Sequence, residues 1–129
     1  MKFQSILLWV LRIVAAYFML QTLYYKFTGA EESIYIFSTL GMEPWGRIGT
    51  GVLELIASAL ILWPRTTHLG ALIGLGLMSG AIFFHLTKLG IDVKGDGGLL
   101  FYYALSVFIS CAILVIVFRE RFFMLFKKV

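Results

Sequence analysis

The chain has 129 residues, 60% of them hydrophobic and only 14% charged, with a formal net charge of +4 at pH 7. That length holds one domain, and soluble domains average about 45–50% apolar and about 25% charged, so a water-soluble globular fold, a disordered chain and a nucleic-acid-binding module are excluded. A single cysteine, Cys111, excludes an internal disulfide, a CxxC couple and a cysteine-rich metal site.

Four apolar runs meet the ~20-residue length of a membrane span: residues 5–25, 47–63, 68–85 and 99–118. Each must be helical, because lipid offers no partner for open backbone amides. The sequence therefore predicts an all-α membrane protein, a four-transmembrane-helix bundle forming one domain over residues 1–129. The first run is too long for a signal peptide, is interrupted by Arg12 and has no small-residue cleavage site after it, so it is expected as a retained helix. One of its edges presents Arg12, Ala15, Ala16, Met19 and Lys26, while Gln21 sits beside Tyr17 and Tyr25 as a helix–helix hydrogen-bonding group. In the loop that follows, Ile34, Phe37 and Leu40 recur at helical spacing behind Glu31 and Glu32, whose charges suit a helix N-terminus. Gly41 and Pro44 then stop the pattern. A short amphipathic helix from Glu32 to Leu40, lying on the outer face, is the expectation.

Glu54 stands about halfway along the second run, roughly 10–13 Å from either interface, with Arg47, Thr50 and Ser58 on the same side. An ionisable residue at that depth is a functional-site candidate by default. Arg12 is its expected partner, at an axial offset of about 5–8 Å. The pair reads either as a structural clamp between two helices or as part of a site. Lys26, at the outer end, either joins that site or snorkels to lipid headgroups.

Trp63-Pro64-Arg65-Thr66-Thr67 is a tight turn that makes runs two and three antiparallel neighbours. In the third run, Gly70 with Gly74 and Gly76 with Gly80 form two small-xxx-small pairs on different faces. Both are expected to admit a closely packed helix, and one offers a surface for homo-oligomerisation. His85 ends this run on the face of Gly74, Met78 and Ala81, where it reads as a proton relay, a donor to a ligand carbonyl, or an ordinary interfacial histidine. His68 lies seventeen residues away, roughly 25 Å along a helix, so the two cannot share a metal or haem, and no metal site is predicted. Residues 94–98 read as a polar, flexible outer loop, and Tyr102, Ser106 and Ser110 give the fourth run a polar edge.

Orientation follows from the cations. Lys2, Arg12, Arg65, Arg119, Arg121, Lys127 and Lys128 fall on one side; Lys26, Arg47, Lys88 and Lys94 fall on the other, among five carboxylates. Both termini are then expected in the cytoplasm, with the chain in the cytoplasmic (inner) membrane.

The chain resembles the DoxX family of small four-helix bacterial and archaeal membrane proteins from about Leu7 to Phe118. The likeness rests on Leu11-Arg12-Ile13, Tyr25-Lys26-Phe27, Leu40-Gly41-Met42-Glu43-Pro44, Gly51-Val52-Leu53-Glu54-Leu55, the turn at Arg65 and the glycine-rich run ending in His85, in that order. Many relatives carry an acidic residue where the fourth span begins; here Gly97-Gly98-Leu99-Leu100 stands there, with Asp96 the nearest carboxylate. The resemblance implies a four-helix bundle with redox associations, relatives including a subunit linked to thiosulfate:quinone oxidoreduction and proteins that assist the maturation of others.

Three functions compete on this reading. The first is a quinone-associated redox accessory subunit, which as an enzyme would be one subunit of a quinone-linked membrane oxidoreductase. Its ligand-binding residues would be Lys26, Arg12, Glu54 and His85, with Glu54 and His85 as the catalytic proton-handling groups. The site would be an outer-half cavity closed from above by the loop helix. Its partners would be the bilayer and a membrane or periplasmic redox protein that supplies electrons. The second is a non-enzymatic assembly protein for another membrane protein; the third is a small-solute or proton pathway along Arg12, Glu54 and Thr50.

Overall fold

A computed structural model describes residues 2–127; Lys128, part of the basic tail, lies outside them. The chain runs through α1 (Lys2–Gln21), α2 (Leu23–Thr28), α3 (Glu31–Thr39), α4 (Trp45–Leu62), α5 (Thr67–Phe84), a π-helical turn (His85–Leu89), α6 (Leu99–Val117) and α7 (Arg119–Lys127), with no strand among the described residues. Four stretches are long and apolar enough to cross a membrane: Lys2–Thr28, Trp45–Leu62, Thr67–Leu89 and Leu99–Val117. The all-α, four-span architecture is thus the one expected, and the loop helix lies within a residue of its predicted bounds.

The first span is α1 and α2 in series. Thr22 separates them, its hydroxyl donating back to the Met19 carbonyl at 2.9 Å, a bond that competes with the helical ladder and often bends a helix. The spans form a ring in which α1 and α5 each pack between α4 and α6. Both described chain ends lie at one end of this ring, here the terminal end; α3 and the 90–98 loop cover the distal end. The core is concentrated in the terminal half and middle, where Ala15, Ala57, Ile61, Ala71, Cys111 and Leu114 are wholly buried.

Glycine permits that core. A Cβ on Gly70 would lie 2.6 Å from the Ala57 carbonyl oxygen and the Ile61 amide nitrogen, so α4 and α5 touch backbone to backbone there. A Cβ on Gly74 would lie 2.8 Å from Cys111 Sγ on α6. The second pair behaves differently from the expectation. Nothing comes within 4 Å of a Cβ built on Gly76 or Gly80, so no helix of this chain is clasped on that face. The turn between α4 and α5 is as tight as predicted, with Thr66 Oγ1 donating to the Leu60 carbonyl at 2.8 Å and Thr67 Oγ1 to Ile61 at 2.9 Å.

The basic C-terminal tail forms a further helix. In α7, Arg121 donates to the Pro64 carbonyl at 2.7 Å, and Phe122 meets the buried ring of His68 edge-on at 5.0 Å. These contacts tie α7 back onto the α4–α5 turn.

Candidate functional site

The distal half of the bundle holds a cavity of about 570 Å³, within the roughly 300–1,000 Å³ typical of small-molecule sites. Its polar equipment follows from helix direction. Side chains on a helix lean toward that helix's own N-terminus. The first span runs away from the terminal end and α4 runs back toward it, so Lys26 leans into the bundle while Glu54 leans outward to meet it. Lys26 Nζ lies 2.9 Å from Glu54 Oε1, with side-chain exposures of 15% and 4%. The ammonium also donates to Thr22 Oγ1 at 3.0 Å, and among the described residues no backbone amide or second side chain donates to Glu54 Oε1. The carboxylate is therefore charge-paired yet keeps acceptor capacity.

One turn pair nearer the distal end, Arg47 holds this arrangement in place. Its Nε donates to both oxygens of Glu43 at 2.9 and 3.0 Å, and its Nη1 donates to the Lys26 carbonyl. Gly51 gives room for the Phe27 ring, whose Cε1 would stand 2.8 Å from a Cβ at that position.

The expected Arg12–Glu54 pair does not form. Helix direction explains it: Arg12 leans toward the terminal end, away from Glu54. Its guanidinium lies over the rings of Trp9 at 4.5 Å and Phe118 at 5.6 Å, buried and with no protein partner on Nε. Arg12 is not among the cavity-lining residues, whereas Lys26, Glu54 and His85 all are. The line Arg12–Glu54–Thr50 is accordingly not continuous, although Glu54 and Thr50 share the cavity.

His85 opens the π-helical turn and is buried. Its Nδ1 stands 2.9 Å from the Gly90 carbonyl and its ring meets Phe101 edge-on at 5.6 Å. A carbonyl only accepts, so Nδ1 carries the proton; Nε2 is left as an acceptor in the neutral ring and a donor in the cation. The neighbouring loop is knitted together rather than slack. Asp96 Oδ1 accepts from the amides of Val93 at 3.0 Å and Gly98 at 2.8 Å, and Oδ2 reaches Leu100 at 3.4 Å, in the first turn of α6. Burial pushes the Asp96 carboxyl up, but the amides of Val93, Gly98 and Leu100 and the charge of His85 together hold it below the usual carboxylate range. Lys94 ties this loop to α3, lying 4.8 Å over the Tyr35 ring and 3.7 Å from Glu31.

The cavity is thus lined by Lys26, Glu54 and His85 from three spans, with Glu32 and Asp96 as further carboxylates and Thr22 and Thr50 beside them. Phe18, Met19, Leu77, Met78 and Val107 supply apolar walls, and Ser33, Ile36 and Phe37 of α3, with Leu40 just beyond it, form the roof. Such a box can donate hydrogen bonds to a ligand that offers only acceptors, and can hold a proton at Glu54 or His85. Thr22 and Asp96 escape a reading of intramembrane charges. Their signals are nonetheless local: a hydroxyl four residues before Lys26, and a carboxylate within a Gly-Asp-Gly-Gly turn.

A model of the DoxX-like family matches residues 10–109. That stretch takes in Arg12, Lys26, Glu54, His85 and Asp96. No curated protein and no solved structure matches the chain.

Proposed function

This chain belongs to the DoxX-like family, and from that premise we propose that it is a quinone-associated redox accessory subunit of the membrane, holding a quinone head in its distal cavity. One observation carries the reading. An ammonium, a carboxylate and an imidazole, each from a different span, face a single cavity whose walls are largely apolar. The donor set fits a quinone, whose carbonyls only accept: Lys26 is one donor, and His85 Nε2 is the other when the ring is protonated. The Glu54 carboxylate, paired with Lys26 through Oε1, offers its other oxygen to a quinol hydroxyl.

A bound quinone supplies two-electron, two-proton redox chemistry. The chain's own residues bind and orient it and manage protons. Glu54 takes up or releases a proton at the oxygen that Lys26 does not hold, and Lys26 keeps the carboxylate from standing as a lone buried charge. His85 passes a proton at Nε2 while Nδ1 stays fixed on Gly90. With one cysteine in the whole sequence and no CxxC pair, electrons reach the cavity from a partner redox protein.

The test is equilibrium binding of a short-tailed quinone to the purified protein in nanodiscs. Saturable binding is expected, weakened at least tenfold by Lys26→Met and by His85→Leu, with helicity retained in both. Absence of saturable binding, or affinity untouched by both substitutions, overturns the reading. Stable copurification of one protein without quinone would favour an assembly role instead.

A further inference from the structure

The walls of the cavity are not equally closed. Three of the four seams between spans are filled in the distal half. Phe18 of α1 stacks on Tyr103 of α6 with ring centroids 4.7 Å apart. The seam between α2 and α4 is closed by Phe27 against Gly51 and by the Lys26–Glu54 pair. His85 and Phe101 meet across the seam between α5 and α6. The distal mouth is roofed by α3, which Lys94 ties to the 90–98 loop.

The fourth seam, between α4 and α5, is different. At Gly70 the two backbones touch. By Gly76 and Gly80, about 9 and 15 Å further along α5, a Cβ would meet nothing within 4 Å, yet both glycines line the cavity. Thr50 of α4 lines it too, and Gly76 is also exposed on the outside of the bundle. Open space therefore borders α5 at the level of the polar groups, within a stretch long and apolar enough to cross a membrane.

We infer that a ligand with a polar head and a long apolar tail enters the cavity sideways from the bilayer through the α4–α5 seam. Its tail lies across Gly76 and Gly80 while its head reaches the Lys26–Glu54 pair. The identity of the head rests on the quinone reading above; the route does not. A tail left in the seam stays among lipid chains and needs no room inside the cavity. Glycine at both positions keeps the sill flat, whereas a leucine there would occupy the space the tail needs.

Two photoreactive probes separate the route from the head. Both carry a diazirine midway along a ten-carbon tail, one on a quinone and one on a carboxylate. Each is incorporated into nanodiscs with the protein, and labelled residues are mapped. The expected result is labelling of Leu77 on the cavity wall, reduced at least fivefold in Gly80→Leu and in Gly76→Leu, with lipid-facing Leu72 labelled as before. Gly80→Ala should give a smaller reduction and covers the case in which leucine prevents folding. Labelling of Leu77 by the carboxylate probe alone supports the route and overturns the quinone head. Failure of both probes to label Leu77, or labelling indifferent to all three substitutions, overturns the route; binding of a tail-less quinone would still sustain the head.

Discussion

Lys26 and Glu54 form a buried ion pair at 2.9 Å because they sit on antiparallel spans and each leans toward the N-terminus of its own helix. The same geometry sends Arg12 away from Glu54, to the rings of Trp9 and Phe118. Two long cations on one edge of the first span therefore serve opposite ends of the bundle.

Removing one member of the pair strands the other charge in apolar surroundings, at a cost of about 3–5 kcal/mol. Lys26→Met and Glu54→Leu should each lose about that much in reversible unfolding from mixed micelles, and the double variant should lose clearly less than their sum. Glu54→Gln should be milder than Glu54→Leu. By contrast, Arg12→Met combined with Glu54→Leu should be additive. Additivity in the Lys26–Glu54 cycle would argue that the contact contributes nothing.

Gly70 and Gly76 make a matched pair of controls on one helix. Alanine at Gly70 drives a methyl into the α4 backbone and should destabilise by about 1–3 kcal/mol, as overpacking does. Alanine at Gly76 meets open space and should be neutral or stabilising by up to about 1 kcal/mol, since alanine is the better helix former. Melting temperatures in detergent decide between them; equal losses at the two positions would contradict the packing described.

The loop bound by Asp96 should respond to acid. Its carboxyl is held below the usual range, so the stability it lends is full above the unfolded-state value of about 3.9 and is lost as pH falls through the lower folded-state value. Amide exchange at Val93, Gly98 and Leu100 should therefore accelerate below about pH 4 relative to α4. Asp96→Ala should produce the same acceleration at neutral pH, costing about 0.5–1 kcal/mol. Slow exchange at these amides in Asp96→Ala would assign their protection to something else.

Topology can be read with a membrane-impermeant maleimide, because native Cys111 is wholly buried. If the termini are cytoplasmic, Ser38→Cys, exposed on α3, reacts in intact cells, and Arg65→Cys, exposed in the α4–α5 turn, reacts only after permeabilisation. The reverse pattern would invert the assigned orientation.

Much of this architecture is legible in the residues, for a physical reason: apolar length and helical period speak directly to what lipid demands of a backbone. Lys26, Glu54 and His85 stand out because charge is costly at that depth. Pairing is less legible, since an axial offset alone puts Arg12 close to Glu54 and only side-chain direction separates them. The glycines mislead in a similar way. A small-xxx-small pair says that a close approach is allowed, and Gly76 with Gly80 uses that freedom to leave space instead of filling it. The tail helix hid behind its charge, its apolar face supplied by Phe122 against His68.

The π-helical turn at His85–Leu89 makes chain length itself a determinant of the site. A π turn carries an extra residue relative to an α turn. Inserting one residue between Leu86 and Leu89 would exceed what the π turn absorbs and swing the chain beyond it through about 100°. The Gly90 carbonyl would then no longer face the imidazole, and His85 would lose the bond that fixes its tautomer. Exchanges among Leu86, Thr87 and Lys88, all exposed, should be well borne, while a lengthening by one residue should not. In this stretch the spacing between His85 and Gly90 matters more than the identity of what lies between them.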